Sequence, residues 1–220
     1  PFLLTPFVHT GDPDNPHDRT RLGYTSPALL ALARSAQAIF VQTEGERQCL
    51  LDCGLPEDRL HLQGMGVDLD DCTGGDRGRF RRRYQFADSE ILIGHLANNS
   101  VEKGTVDLLR AADRAWSACT AFTLVLAGAE MPNFQQFWSS HTPRGRVIRC
   151  GILDAQQKRD FFAAIDLFAL PSRSDSFGLV LPEAWANGVP CVGYRAGGVA
   201  WVIRHGVDGY LARCGDTEEL

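Results

Sequence analysis

Leu170-Pro171-Ser172-Arg173-Ser174-Asp175-Ser176-Phe177-Gly178-Leu179-Val180-Leu181-Pro182-Glu183-Ala184 decides the fold of this chain. An apolar run ends at Leu170, a polar loop follows, and a helix is predicted to begin near Leu179. Pro182 fits that helix only within its first turn, where a missing N–H is harmless. Gly188 is placed to close it as a left-handed C′ residue. Such a loop lies at the carboxyl end of a parallel strand, where ligands bind in open α/β sheets. The amides of Phe177, Gly178 and Leu179 then point outward from a helix N-terminus and suit a phosphate. Asp175 and Glu183 flank them, with Ser176 beside the first, and carboxylates there accept hydrogen bonds from sugar hydroxyls. A plain strand-to-helix turn with a helix-stabilising acid in its first turn satisfies the same spacing.

Outward from this stretch the pattern alternates. Strands are predicted at 91–96, 122–127, 147–150, 167–170 and 191–194, with a short sixth at 210–211. Helices are predicted between them at 105–117, 133–139, 154–164 and 181–187. Continuous apolar strands separated by helical stretches indicate a parallel sheet covered on both faces, a doubly wound Rossmann-like α/β domain. Before residue 75 the same grammar is shorter: strand 2–8, helix 27–36, strand 38–43 and helix 44–53, the last ended by Gly54-Leu55-Pro56. Thr73-Gly74-Gly75-Asp76 is the most linker-like stretch. The expected division is therefore 1–75, the end of one Rossmann-like domain plus a hinge, and 76–220, a second such domain. Both termini read as cut.

Composition narrows the classes. With 44% hydrophobic and 22% charged residues the chain has enough apolar content for a core. A net charge of −5 argues against a general nucleic-acid binder. The one basic cluster, Arg77, Arg79, Arg81, Arg82 and Arg83, reads as a solvated helix face, or else as a patch for anionic lipid or a charged acceptor. Seven cysteines show no Cys-x-x-Cys pair, so free thiols in a reducing, cytoplasmic setting are expected, with a peripheral membrane contact through the Arg cluster as the variant. No apolar run approaches the ~18 residues of a membrane span.

The quoted stretch resembles the signature of retaining glycosyltransferase family four. That signature is two acids with seven residues between them, Phe-Gly just after the first, then Glu-Ala and Gly-x-Pro, here Asp175, Phe177-Gly178, Glu183-Ala184 and Gly188-Val189-Pro190. The resemblance implies a GT-B fold, with Asp175 holding the donor sugar's hydroxyls and Glu183 the nucleotide's ribose. Val101-Glu102-Lys103-Gly104 is similar to the family's Lys-Gly pair, which gives Lys103 the diphosphate; by itself it reads as an exposed loop lysine. Leu3-Leu4-Thr5-Pro6-Phe7-Val8-His9-Thr10 places His9 where the family has a histidine facing the donor sugar. A lone His after a strand is otherwise a hydrogen-bonded structural residue, and His17 in Pro16-His17-Asp18 is a weaker candidate of either kind.

Further resemblances run along the chain in order. Ala36–Val41 with Glu46-Arg47 is similar to the last strand–helix unit of the acceptor domain, Gly66-Val67-Asp68 to the interdomain hinge, and Leu124–Gly128 to the second donor-domain strand. Gly151-Ile152 and Leu153 fall where the base stacks, and Ala196-Gly197-Gly198 and Gly206–Gly209 resemble closing loops. The chain departs from the family in three places. Asp175 stands for Glu, Trp201 stands for Glu, and Gly94-His95-Leu96-Ala97-Asn98-Asn99 lacks an Arg clamp for which His95 or Asn99 would substitute.

The implied reaction moves a sugar from a nucleoside-diphosphate sugar to a sugar, lipid or small-molecule acceptor, with retention and no metal or other cofactor. Basic groups and a helix dipole act in the metal's place. The rivals are an epimerase or phosphorylase on the same scaffold and a non-catalytic nucleotide-sugar-binding module. The 220 residues alone are not expected to turn over.

Overall fold

A computed structural model describes residues 1–12, 15 and 17–220, and it contains two parallel sheets. The first has three strands in the order β1 (Leu3–Leu4), β2 (Ala38–Val41), β3 (Leu60–Leu62). Helices α1 (Thr20–Tyr24), α2 (Pro27–Ser35) and α3 (Glu44–Asp52) accompany it. Its core gathers Val8, Ala33, Ile39, Val41, Cys49, Leu50, Leu55 and Leu60. Strand β1 is shorter than the expected 2–8. Pro6 has no N–H for a ladder, and Phe7 sits at φ +51°, outside the extended region. Strand β3 was not expected; three residues interrupted by His61 carry too little alternation to register.

Helices α4 (Leu69–Cys72) and α5 (Arg77–Arg83) lead into the second sheet. Its strands are β4 (Leu92–Leu96), β5 (Thr123–Ala127), β6 (Val147–Gly151), β7 (Leu167–Leu170), β8 (Cys191–Tyr194) and β9 (Gly209–Ala212). Between them run α6 (Thr105–Ser117), α7 (Pro132–Trp138), α8 (Ala155–Ala164), α9 (Val180–Ala186) and α10 (Val199–Val202). The spatial order is β6-β5-β4-β7-β8-β9, with every pairing parallel. This is the doubly wound order, and it reverses between β4 and β7. Two apolar clusters cover opposite faces, one around Phe161, Phe162, Phe168 and Leu181, the other around Leu109, Leu124, Leu126 and Phe134.

Local chemistry sets several boundaries. Asp154 caps α8 in a reciprocal capping box with Gln157, which satisfies two orphan donors. Gly188, at φ +71°, ends α9 while Val189 N–H reaches back to the Ala184 carbonyl.

The arginine cluster is corrected at Arg81. Arg81 is 2% exposed, and its guanidinium donates to the carbonyls of Ala87, Glu90 and Ala164 and to the Asp166 carboxylate. Arg79 pairs with Asp160 at 2.5 Å and, with burial opposing, holds that carboxyl at about 2. Arg77 pairs with Asp166. Arg81 thus leaves the expected solvated face, while Arg77 and Arg79 stay on it about half exposed and reach from it to Asp166 and Asp160. Only Arg82 and Arg83 remain exposed without an acidic partner among the described residues. Replacing Arg81 with Leu would strand several carbonyls and one carboxylate, and urea unfolding should show a loss of ~3 kcal/mol or more. A loss under ~1 kcal/mol would contradict this role for Arg81.

Candidate nucleotide-sugar site at the switch point

All six strands of the second sheet are parallel, so the loops after β4, β6 and β7 open on one edge. Because the strand order reverses between β4 and β7, the connections that follow them depart to opposite faces and leave a crevice. Lys103 lies in the loop after β4 and Asp175 in the loop after β7. Lys103 Nζ meets Asp175 Oδ1 at 2.9 Å, with the two side chains 26% and 17% exposed. Gly104 makes this approach possible. At φ +72° it lies so close to Pro171 that an added Cβ would sit 1.8 Å from the Pro171 carbonyl oxygen. Any larger residue would push the Lys103 loop off the Asp175 loop.

His9 comes from the first sheet and reaches the same place. Its Nδ1 lies 3.1 Å from the Ser174 carbonyl and 3.0 Å from the Ser174 hydroxyl. A carbonyl can only accept, so Nδ1 carries the proton and Nε2 presents a lone pair. Tyr24 stacks on the ring at 4.6 Å. Burial lowers the His9 pKa, partly offset by the Ser174 carbonyl and Asp175, so the ring is neutral near pH 7. Nearby, Gly197 N–H donates to the Gly11 carbonyl and Gly198 N–H to the Asp175 carbonyl, which ties the glycine loop across both segments.

Glu183 projects from the first turn of α9. Its Oε1 accepts from Lys158 Nζ at 2.5 Å, while its buried Oε2 has no hydrogen-bond partner among the described residues. A buried carboxylate oxygen left in this way is unusual and fits a hydroxyl donor. The N–H groups of Phe177, Gly178 and Leu179 likewise have no acceptor among the described residues. Ser176 is half-buried, Ile152 is 77% exposed at the mouth of the β6 loop, and Leu153 packs on the core beneath it.

His95 is corrected as a donor-binding residue. It is fully buried, Nδ1–H donates to the Ala169 carbonyl at 2.8 Å, and Nε2 accepts from the Thr105 hydroxyl at 2.9 Å. Thr105 Oγ1 in turn accepts from Ser100 N–H, and Ser100 Oγ from Lys103 N–H. His95 therefore underpins the Lys103 loop from below. Asn99 is 2% exposed; its Nδ2 donates to the Gly128 carbonyl and its Oδ1 is a second unpartnered buried acceptor. His17 stands in an exposed turn, its N–H on Asn15 Oδ1. Pro16 lies outside the described residues.

Against this geometry, residues 90–220, more than half of the chain, match the family model described as "Glycosyl transferases group 1". The chain belongs to that family. N-acetyl-alpha-D-glucosaminyl L-malate synthase of Bacillus anthracis is 35% identical over 143 residues, 64% of this chain and 37% of its own length. D-inositol 3-phosphate glycosyltransferase of Mycobacterium sp. (strain KMS) is 31% identical over 180 residues, 80% of this chain and 41% of its own length. The chain thus spans about two fifths of the curated relatives it matches. Anabaena Alr3699/HepE in complex with UDP superposes with a TM-score of 0.79 at 24% identity, over all of this chain and 60% of that one. TarM does so at 0.74 and 16%. These likenesses show the GT-B fold.

Two residues of this group 1 glycosyl transferase escaped the sequence reading. Lys158, in the second turn of α8, meets Glu183 only through the tertiary fold. Arg173, in the loop after β7, pairs closely with Asp107 and lies over the Tyr194 ring. Asp68-Leu69-Asp70 has Asp-x-Asp spacing, and its first carboxylate caps α4 by accepting Asp70 N–H. Among the described residues no cluster of three or more His, Cys, Asp or Glu side chains is placed to hold a metal, and no helix is long and apolar enough to cross a membrane.

Burial drives the His95 pKa down from 6.5 to about 4. The unfolded chain takes up this proton first, so the group's contribution to stability falls as pH drops from 6.5 towards 4. The full effect reaches ~3 kcal/mol. His95→Asn should flatten that part of the stability–pH curve in urea unfolding; an unchanged slope would show that His95 is not held neutral.

Proposed function

We propose that the chain carries the donor-binding half of a retaining glycosyltransferase that moves a sugar from a nucleoside-diphosphate sugar to an acceptor hydroxyl. Residues 1–75 are read as the end of the acceptor-side domain with the hinge, and 76–220 as the donor domain. The observations that carry this reading are the meeting of the Lys103–Asp175 pair with neutral His9 at one switch point, and the unpartnered Glu183 Oε2 in the first turn of the helix that follows the same loop.

In this reading Glu183 Oε2 takes a ribose hydroxyl, and Ile152 and Leu153 offer the base a surface. Lys103 and the amides of Phe177, Gly178 and Leu179 stabilise charge on the departing diphosphate, in place of a metal. Asp175 and His9 Nε2 accept from the donor sugar's hydroxyls. The bond from the anomeric carbon to the phosphate oxygen breaks and a bond to the acceptor oxygen forms on the same face. The acceptor's proton passes to the departing phosphate oxygen. UDP in the HepE structure supports a nucleoside diphosphate here, and the relatives named for L-malate and inositol 3-phosphate support a small acceptor. A cytoplasmic setting fits the seven free thiols.

With both domains complete, Lys103→Ala should weaken UDP binding by ~10-fold or more, since a charge-assisted hydrogen bond contributes ~1.5–3 kcal/mol. Calorimetry showing unchanged affinity would remove Lys103 from the diphosphate site. In the same protein, NMR of the product should find the donor's anomeric configuration kept; inversion would reject the retaining mechanism.

A further inference from the structure

The geometry points to Glu46 as the residue that positions His9 for transfer, an inference that rests on the role just given to His9. Glu46 lies in the first turn of α3, remote in sequence from His9. Its side chain is 1% exposed, yet no cation pairs with it among the described residues. Each carboxylate oxygen is committed to one backbone N–H: Oε1 to Val8 at 2.7 Å and Oε2 to Gln42 at 2.6 Å. Val8 immediately precedes His9, and Gln42 immediately follows β2. One carboxylate therefore stitches the loop after β1 to the loop after β2, at the edge where His9 leaves the sheet.

Two features show that this stitch is needed. Phe7, two residues before His9, holds φ +51° with its ring 39% exposed. A bulky residue keeps such a backbone only where its surroundings impose it. The ladder cannot do so, because β1 ends at Leu4. The bond on the next N–H, at Val8, is the constraint that remains. The second feature is the cost accepted in placing the carboxylate there. Burial raises the Glu46 pKa, opposed by the two N–H donors. Charged acceptors make short, directional bonds, so they fix position better than a neutral acceptor would. With the backbone held at Val8 N–H on one side and Ser174 holding Nδ1 on the other, the residue is fixed at both ends, within electrostatic reach of Lys103 and Asp175.

The test is a double-mutant cycle in the complete two-domain protein, with UDP-sugar turnover as the readout. His9→Ala should lower kcat by ~100-fold or more. Glu46→Gln keeps the shape but turns an amide N–H towards one of the two donors. It should lower kcat by ~10-fold or more while donor KM stays within ~2-fold. In the His9→Ala background the same change should cost less than ~2-fold, because there is no ring left to misplace. An equal loss with and without His9 would make Glu46 merely structural and overturn the inference while leaving His9 in place. An unaffected kcat in His9→Ala would overturn the reading of His9 and this inference with it. If Glu46→Gln does not yield folded protein, Glu46→Asp retains the charge, withdraws the carboxylate by one methylene and is held to the same cycle.

Discussion

The ion pair between Lys103 and Asp175 can form only because β4 and β7 are neighbours whose connections leave in opposite directions. Elsewhere in the sheet, successive loops are separated by a crossover helix on the same face. At the reversal no helix intervenes, so a lysine and a carboxylate more than seventy positions apart are brought within hydrogen-bonding distance. Neither is fully buried, so the desolvation cost is moderate and the pair remains approachable. A second pair, Lys158 with Glu183, joins α8 to the first turn of α9. On the proposed reading, a diphosphate meets a Lys103 ammonium whose position is already fixed, together with amides that have no other acceptor among the described residues, and little reorganisation is asked of either.

This constraint accounts for how the first segment is held. His9 docks on Ser174, the Gly11 carbonyl accepts from Gly197, and Asn187 Nδ2 donates to the Cys72 carbonyl at the end of α4. The Trp201 indole lies against Gly45, where an added Cβ would meet Nε1 at 2.1 Å. These contacts hold the first segment against the unit built on the second sheet. The substitution of Trp for the family's usual Glu at 201 thus falls on a contact between α3 and α10, and Gly45 leaves room for the larger ring.

Much of the unit built on the second sheet was legible because its signals are local. β7, β8 and α6 lie where the apolar runs and helical periodicity put them, and Pro182 and Gly188 bracket α9 by backbone chemistry alone. What was misread depends on three dimensions. The arginines of α5 read as a solvated face, which holds for four of them; Arg81 is buried, because its partner Asp166 lies some eighty positions away. His95 looks available because it follows a strand glycine beside the phosphate loop. The alternation of β4 points it inward, where Ala169 and Thr105 engage both nitrogens.

Glu46 shows why local signals can be met in part and still mislead. Thr43-Glu44-Gly45-Glu46 has the spacing of a capping box, in which the acid reaches back to the N–H of the capping residue. Thr43 keeps its half, accepting Glu46 N–H at 3.1 Å. The glutamate departs from the motif: its carboxylate passes over Thr43 to Gln42 and across the sheet edge to Val8. The helix start is stable with only half of the box, so the acid is released for a tertiary task. No spacing rule distinguishes the two uses, because what differs is the presence of an N–H without a ladder partner in the loop after β1. That N–H exists because Pro6 and the turn at Phe7 cut β1 short, and the same early end of the strand is what frees His9 to reach Ser174 in the loop after β7.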